Sequence, residues 1–254
     1  MTREEFEDQF AFDPSNAFKI GIERECFLAD SHGRFQAEAE RVLPSLIRAA
    51  SAETFTFELS ACQIEQRVGP IHVAEIRAIL ENTQNILDTT LANFGLTSVY
   101  TEVGPDDMPL DVYPDKRYLD IVKTKTREER LAACRVIATH IHVGMPDHAT
   151  ALRVYNTVRK NIPGLCALGD KSDGKRLQIY RAFAKDADPP SFVNWKEFHE
   201  YAQAHQFEHD PRRWWGLVRI SRHGTIEFRM FGATECIETV VLWAKTCRAL
   251  CLAS

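Results

Sequence analysis

Apolar and polar residues alternate with period two through "FKIGIERECFLAD", which predicts a strand over about Phe18–Ala29 with one face on a core. A turn at "DSHG" follows, then a helix over about 36–50. "TFTFELSACQIEQRVG" divides into two short extended pieces. A helical period places Val73, Ile76, Leu80, Leu87, Leu91 and Phe94 on one stripe, predicting a long helix from Pro70 to Asn93, closed by Gly95. "LTSVYTEV" reads as a strand, "VGPDDMPLDVYPD" as a proline-rich loop, and "RVIATHIHVGMP" as a strand ended by Gly144 and Pro146.

A helix is expected over about His148–Lys160, and mostly loop with short helical pieces over 161–193, including "DADPPS". Asn194 caps a helix in "NWKEFHEYAQAH", "WWGLVRISRHGTIEFRMFG" is a hairpin around "SRHG", and a last helix spans about 235–252. Strands and helices mix without regular βαβ alternation, repeats or a domain boundary. The expectation is one α+β domain over 1–254 with a mostly antiparallel sheet.

Composition narrows the classes. A chain of 254 residues, 44% apolar and 26% charged, can bury a full core without disulfides or a structural metal. A net charge of −5 argues against an electrostatic nucleic-acid binder. The seven cysteines are odd in number and show no CxxC pair, so reduced thiols in a cytoplasmic protein are expected. The acidic opening "MTREEFEDQF" does not read as a signal peptide, and no apolar run approaches the ~20 residues of a membrane span.

The same alternation concentrates chemistry. Residues i and i+2 share a strand face, which pairs Glu23 with Glu25, His140 with His142, and Glu227 with Arg229. Their neighbours Ile22, Ile141, Ile226 and Phe228 point the other way. Glu58 and Glu65, seven apart, reach a common face only if a turn or bulge lies near Ser60–Ala61. One solvated sheet face explains any single pair. Glu, His and Arg on three strands instead suggest a shared cleft. Carboxylates with an imidazole suit magnesium or manganese better than zinc, and clustered carboxylates repel one another without cations. An arginine beside them suits a transferring phosphoryl group, although P-loop and Rossmann fingerprints are both absent.

Six segments in order, "GIERECFLAD", "FELSACQIEQRVGP", "DKRYLDIV", "THIHVGMPD", "NWKEFHEYAQ" and "HGTIEFRMFGAT", resemble the glutamate–cysteine ligase superfamily in its bacterial carboxylate–amine ligase branch. The resemblance implies a glutamine-synthetase-like fold: a curved, mostly antiparallel sheet forming a funnel-shaped cleft, with helices outside. It implies ATP-dependent ligation of a small carboxylate, typically glutamate, to an amine through an acyl phosphate, with Mg2+ or Mn2+. It assigns metal binding to Glu23, Glu25, Glu58, Glu65, His142 and Glu227, leaves His140 in support, and sets Arg229 on phosphate. Lys171, Arg176 and Arg181 are candidates to grip phosphate or a substrate carboxylate, against the plainer reading of solvated loop charges.

Arg24 departs from the family pattern, and the family expectation is of a longer chain than one stopping at Ser254. A homodimer is one way to complete the cleft wall. Neither nucleic acid nor membrane is an expected partner. Two other classes stay open: a metal-dependent hydrolase using the HxH strand, with His199, His205, His209 and His223 expected to be exposed, and a non-catalytic nucleotide-binding homologue.

Overall fold

The computed structural model describes residues 1–184, 187–188 and 190–254. The chain opens with α1 (Arg3–Glu7) and β1 (Ile20–Asp30), then α2 (Ala39–Ala49), β2 (Phe55–Phe57) and β3 (Gln63–Ile71). The middle holds α3 (Ile76–Ala92), β4 (Leu96–Val99), α4 (Lys116–Lys123), α5 (Arg127–Arg135), β5 (Ala138–Gly144), α6 (His148–Val158) and α7 (Ile162–Gly169). The last part holds α8 (Lys175–Phe183), α9 (Trp195–Ala204), β6 (Val218–Ser221), β7 (Thr225–Gly232) and α10 (Ile237–Leu252).

The strands make one seven-stranded open sheet in the order β2-β3-β1-β5-β7-β6, and every pairing is antiparallel. β4 joins the same edge of β1 as β5, pairing Phe27–Asp30 where β5 pairs Ile20–Arg24. The α+β reading with an antiparallel sheet holds. The alternation in β1 sorts its side chains as expected. Ile20 and Ile22 join Ile141, Val143, Ile226 and Phe228 in a core sealed by α6, α9 and α10. Cys26 and Leu28 join Ile64 in a second core under α2 and α3. Each fully buried Ile, Leu or Phe contributes about 1.5–3 kcal/mol, so this face anchors the sheet and frees the other for chemistry.

Between these two apolar groups sits Arg24, 1% exposed and in register with Gln66 of β3 and Thr139 of β5. It follows the alternation but not the polarity of its face.

Three expectations need correction. The long helix begins at Ile76 rather than Pro70, because β3 runs on through Pro70 to pair Ile71 with Ile20. The ladder shifts register between Ile20 and Ile22, and an irregularity of this kind is where a strand tolerates a proline. The sequence reading gives 116–134 no element and starts a strand at Arg135, yet α4 and α5 lie within 116–135, and Thr126 with Glu129 forms a capping box that was legible in the sequence. The stretch 161–193 holds two regular helices, α7 and α8, rather than mostly loop; residues 185, 186 and 189, two of them in "DADPPS", lie outside the described residues.

Gly69 packs β3 tightly on β1. Its φ is +113°, and an added Cβ would meet the Ile20 carbonyl and come within 2.7 Å of Gly21 Cα. Gly69→Ala is expected to destabilise the fold by about 1–3 kcal/mol or more, read as a lower urea midpoint. An unchanged midpoint would mean that β3 can move off β1 without cost.

Candidate functional site

The polar face of the sheet is a set of cross-strand rows. Glu65 of β3 stands opposite Glu25 of β1. Glu23 stands between Arg67 of β3 and His140 of β5. His142 of β5 stands opposite Glu227 of β7, which stands opposite Arg219 of β6. On the other side of His142 is Gly21, where even a methyl group would lie 3.2 Å from His142 Cβ. The small residue leaves the imidazole its place.

These rows floor a cleft of about 600 Å³. Helices also wall it: α4 contributes Arg117 and Tyr118, α5 Ala132 and Ala133, and α8 Arg176, Tyr180 and Phe183. A turn between β2 and β3 at Ala61–Cys62 brings Glu58 to the same side as Glu65. Its carboxylate accepts hydrogen bonds from the Leu59 amide at 3.1 Å and the Tyr118 hydroxyl at 3.2 Å.

Three sets of donor atoms each lie within 4.8 Å of one another: Glu23, His142 and Glu227; Glu23, Glu65 and His140; and Glu25, Glu58 and Glu65. Glu23 and Glu65 each belong to two sets, so the three form one continuous cluster.

The electrostatics divide the carboxylates. Burial, then Glu58, pushes Glu25 well above the usual carboxylate range. Burial, then Glu23 and Glu58, does the same to Glu65. For Glu23 burial is the largest influence and opposes ionisation, but His142 and His140 outweigh it and hold the group well below that range. For Glu227 burial is again overcome, here by Arg219 and Arg229.

Arg219 Nε donates to Glu227 Oε2 at 2.6 Å, and Arg229 Nη1 donates to Glu227 Oε1. Glu227 is wholly buried between these two guanidiniums.

The two histidines differ. Burial, then Arg229, lowers His140 to about 4, so its ring is neutral, with Nδ1 2.9 Å from Glu23 Oε2. Burial also disfavours charge on His142, but Glu227 and Glu23 reverse the shift and raise it. His142 Nδ1 is held by Thr225 Oγ1 at 2.8 Å. Its Nε2 is buried, makes no hydrogen bond, and lies 3.5 Å from Glu23 Oε1. A ring fixed through one nitrogen with the other aimed at two carboxylates has the geometry of a cation ligand. A buried cluster in which two carboxyls and a histidine are all raised is short of positive charge. Oxygen-rich donors of this kind fit a hard divalent ion such as magnesium or manganese.

All six expected metal ligands, Glu23, Glu25, Glu58, Glu65, His142 and Glu227, therefore line one cleft, with Arg229 beside them. His140, expected only in support, sits close enough to Glu23 and Glu65 to bind directly. Arg176 lines the cleft, is 1% exposed, donates to the Met230 carbonyl, and leaves its buried Nε without a hydrogen bond. Lys171 and Arg181 do not line it. Lys171 is exposed before α8 and reaches Thr234 Oγ1 at 3.2 Å, and Arg181 projects outward to Asp188 at 3.2 Å. The four outlying histidines are not all exposed. His199 is buried against Phe6, ring centroids 4.9 Å apart, while His205, His209 and His223 are exposed and only His223 lines the cleft.

Sequence reasoning missed Arg219, Arg67 and Tyr118. The hairpin centred on "SRHG" pairs Ser221 with Thr225 and so Arg219 with Glu227. The period-two rule in "IEQR" sets Arg67 on the face of Glu65, 3.8 Å away. Tyr118 reaches Glu58 across 60 residues of chain, and no spacing in the sequence signals that contact.

A family model described as glutamate–cysteine ligase family 2 (GCS2) matches residues 19–253. A Chloroflexus aggregans protein named "Putative glutamate--cysteine ligase 2" is 26% identical over 258 residues, covering 94% of this chain and 65% of the relative. A protein of the same name from Roseiflexus sp. is 24% identical over 257 residues, covering 93% and 66%. The chain thus spans just under two-thirds of the length of these relatives. Among solved structures, a bifunctional glutathione synthetase from Pasteurella multocida superposes with a TM-score of 0.59 at 13% identity, over 99% of this chain and 39% of that one. Plasmodium falciparum glutamine synthetase gives 0.52 at 11% identity, over 99% and 53%. At these identities the structural likeness concerns the fold.

Proposed function

The chain belongs to the glutamate–cysteine ligase family 2, and from that premise we propose that it is an ATP- and magnesium-dependent carboxylate–amine ligase. One observation carries the reading: three overlapping donor sets on one sheet face, bordered by arginines, in a single cleft. Glu23, His142 and Glu227 would hold one ion, Glu23, Glu65 and His140 a second, and Glu25, Glu58 and Glu65 a third. When bound, Mg2+ or Mn2+ neutralises a triphosphate and polarises its transferring phosphoryl group.

Arg229 would meet phosphate oxygens with its free edge while Glu227 fixes its orientation. Arg176 would offer its unbonded Nε to an anionic group of the substrate. The carboxylate substrate, with glutamate the first candidate, takes the γ-phosphoryl group and ADP leaves. The amine then attacks the acyl phosphate, expels phosphate, loses a proton and leaves an amide. Leu59, Val136 and Ile137 give the cleft an apolar wall that limits water near the reactive acyl group. The same reading places the protein in the cytoplasm, where ATP and free amino acids meet. Among the described residues no helix is long and apolar enough to cross a membrane.

The test is ADP release in Mg2+ with pools of carboxylates and amines, followed by the product's mass. Release requiring both pools, and reduced at least ~10²-fold in Glu23→Gln, is expected. Tightly held zinc without ATP affinity would favour a hydrolase, and ATP binding without turnover a non-catalytic homologue.

A further inference from the structure

We infer that Arg24 is a positioning residue that sets the spacing of the cation-binding carboxylates from behind the sheet, an inference resting on the function proposed above. Arg24 lies between Glu23 and Glu25 on β1, but its side chain crosses to the helix side. There it makes five hydrogen bonds, all to neutral acceptors. Nε and Nη2 donate to the Thr234 carbonyl at 3.2 and 2.8 Å, and Nη2 also to the Glu235 carbonyl at 3.1 Å. Nη1 donates to Gln84 Oε1 at 2.6 Å and Gln66 Oε1 at 3.3 Å. The guanidinium lies over the Tyr100 ring at 4.1 Å, and Tyr100 in turn donates to Gln84 Oε1 at 2.7 Å.

The partners explain what this side chain accomplishes. Gln66 immediately follows Glu65 in β3. Thr234 and Glu235 follow β7, the strand of Glu227 and Arg229. Gln84 belongs to α3. β1 and β7 are not neighbours, because β5 lies between them. Arg24 therefore ties β1 to the end of β7 across an intervening strand, and to β3 on its other side. The strands it joins carry Glu23, Glu25, Glu65 and Glu227. A planar fork can hold three directions at once, which a lysine ammonium on a flexible stem cannot.

A fully buried cation without a carboxylate partner is costly. Hydrophobic packing would hold the two cores together at least as well, so the retained guanidinium is better explained by the geometry it imposes. Supporting residues of this kind typically change metal affinity about 10–100-fold when altered.

The experiment measures Mn2+ binding to the full chain by electron paramagnetic resonance, well below each variant's unfolding midpoint, alongside the Mg2+ dependence of turnover. Arg24→Lys is expected to weaken Mn2+ binding about tenfold and to raise the Mg2+ concentration for half-maximal turnover. Its kcat at saturating Mg2+ should stay near wild type. Ile22→Val, on the same face of β1, supplies a stability loss without touching the brace and should bind Mn2+ as the wild type does. If Arg24→Lys does not fold, Gln84→Met takes its place, removing the 2.6 Å bond and leaving Arg24 intact.

Wild-type Mn2+ affinity in the Arg24 variant, or in Gln84→Met where that is the variant read, overturns the brace alone. Equal weakening by Ile22→Val also overturns it, since loosened packing would then suffice. Failure of the wild-type protein to bind Mn2+ overturns both the brace and the proposed function.

Discussion

Glu227→Ala is expected to lose about 3–5 kcal/mol of stability and to lower ATP turnover at least ~10²–10³-fold. Glu227 is wholly buried, and both its oxygens are taken by Arg219 and Arg229. Removing the carboxylate leaves two guanidiniums facing each other without their shared anion. Breaking a buried charge set from one side costs far more than the set contributes when intact. Urea unfolding and ADP release separate the two effects. In Glu227→Gln combined with Arg219→Gln, one orphaned charge is gone, so part of the stability should return while turnover stays low. A Glu227→Ala protein with the wild-type urea midpoint would show that the arginines do not depend on this carboxylate.

The second large effect is a pH dependence of stability that divalent cations remove. Glu25 and Glu65 are raised in the folded protein, so it keeps protons that the unfolded chain has released above about 4.3. His142 is raised as well and keeps its proton above about 6.5. Wherever the folded state binds more protons, stability falls as pH rises. His140, lowered to about 4, acts oppositely, but only between about 4 and 6.5. Glu23 and Glu227 are lowered, so their contribution is lost only as pH falls below the ordinary glutamate value.

The metal-free protein should therefore lose stability from about pH 6.5 upward, by up to about 1.4 kcal/mol per pH unit for each proton retained. Under the proposed function, Mg2+ or Mn2+ would supply the positive charge in place of those protons. A single ion at a hundred times its dissociation constant adds about 2.7 kcal/mol, and the gain should grow with pH because binding releases protons. Urea midpoints from pH 6 to 8.5, in chelator and in excess Mg2+, test this. Parallel pH slopes in the two conditions would mean that cations do not occupy the acidic floor.

Much of this site was legible because a strand has the simplest code in the chain. Alternation alone set Glu23 beside Glu25, His140 beside His142, and Glu227 beside Arg229 on the faces where the structure has them. The seven-residue gap from Glu58 to Glu65 demanded a turn, and a turn is there. What escaped was what a strand's period does not encode. Tyr118 comes from a helix that walls the cleft, and its contact with Glu58 depends on tertiary placement. Lys171 and Arg181 had suitable charge in a suitable segment, but Lys171 lies exposed ahead of α8, and α8 turns Arg181 outward and Arg176 into the cleft. His199 had the polarity of a surface residue and the geometry of a core one, stacked on Phe6. The helix assigned from Pro70 failed because the β1–β3 ladder extends to Ile71, a pairing visible only once both strands are placed.

The split of β1 into an apolar face and an acidic one also works as a proofreading device. A slip of one residue against β3 or β5 would send Glu23 and Glu25 into the layer sealed by helices and bring Ile22 and Arg24 into the cleft. Burying Glu23 and Glu25 there would be costly, since Arg24 would have left that layer for the cleft and its hydrogen bonds to Thr234, Glu235, Gln84 and Gln66 would be lost. The same arrangement that gathers carboxylates on one side thus makes misaligned pairings of this strand self-rejecting, so that one alignment alone keeps Glu23 and Glu25 in the cleft and Arg24 among its acceptors.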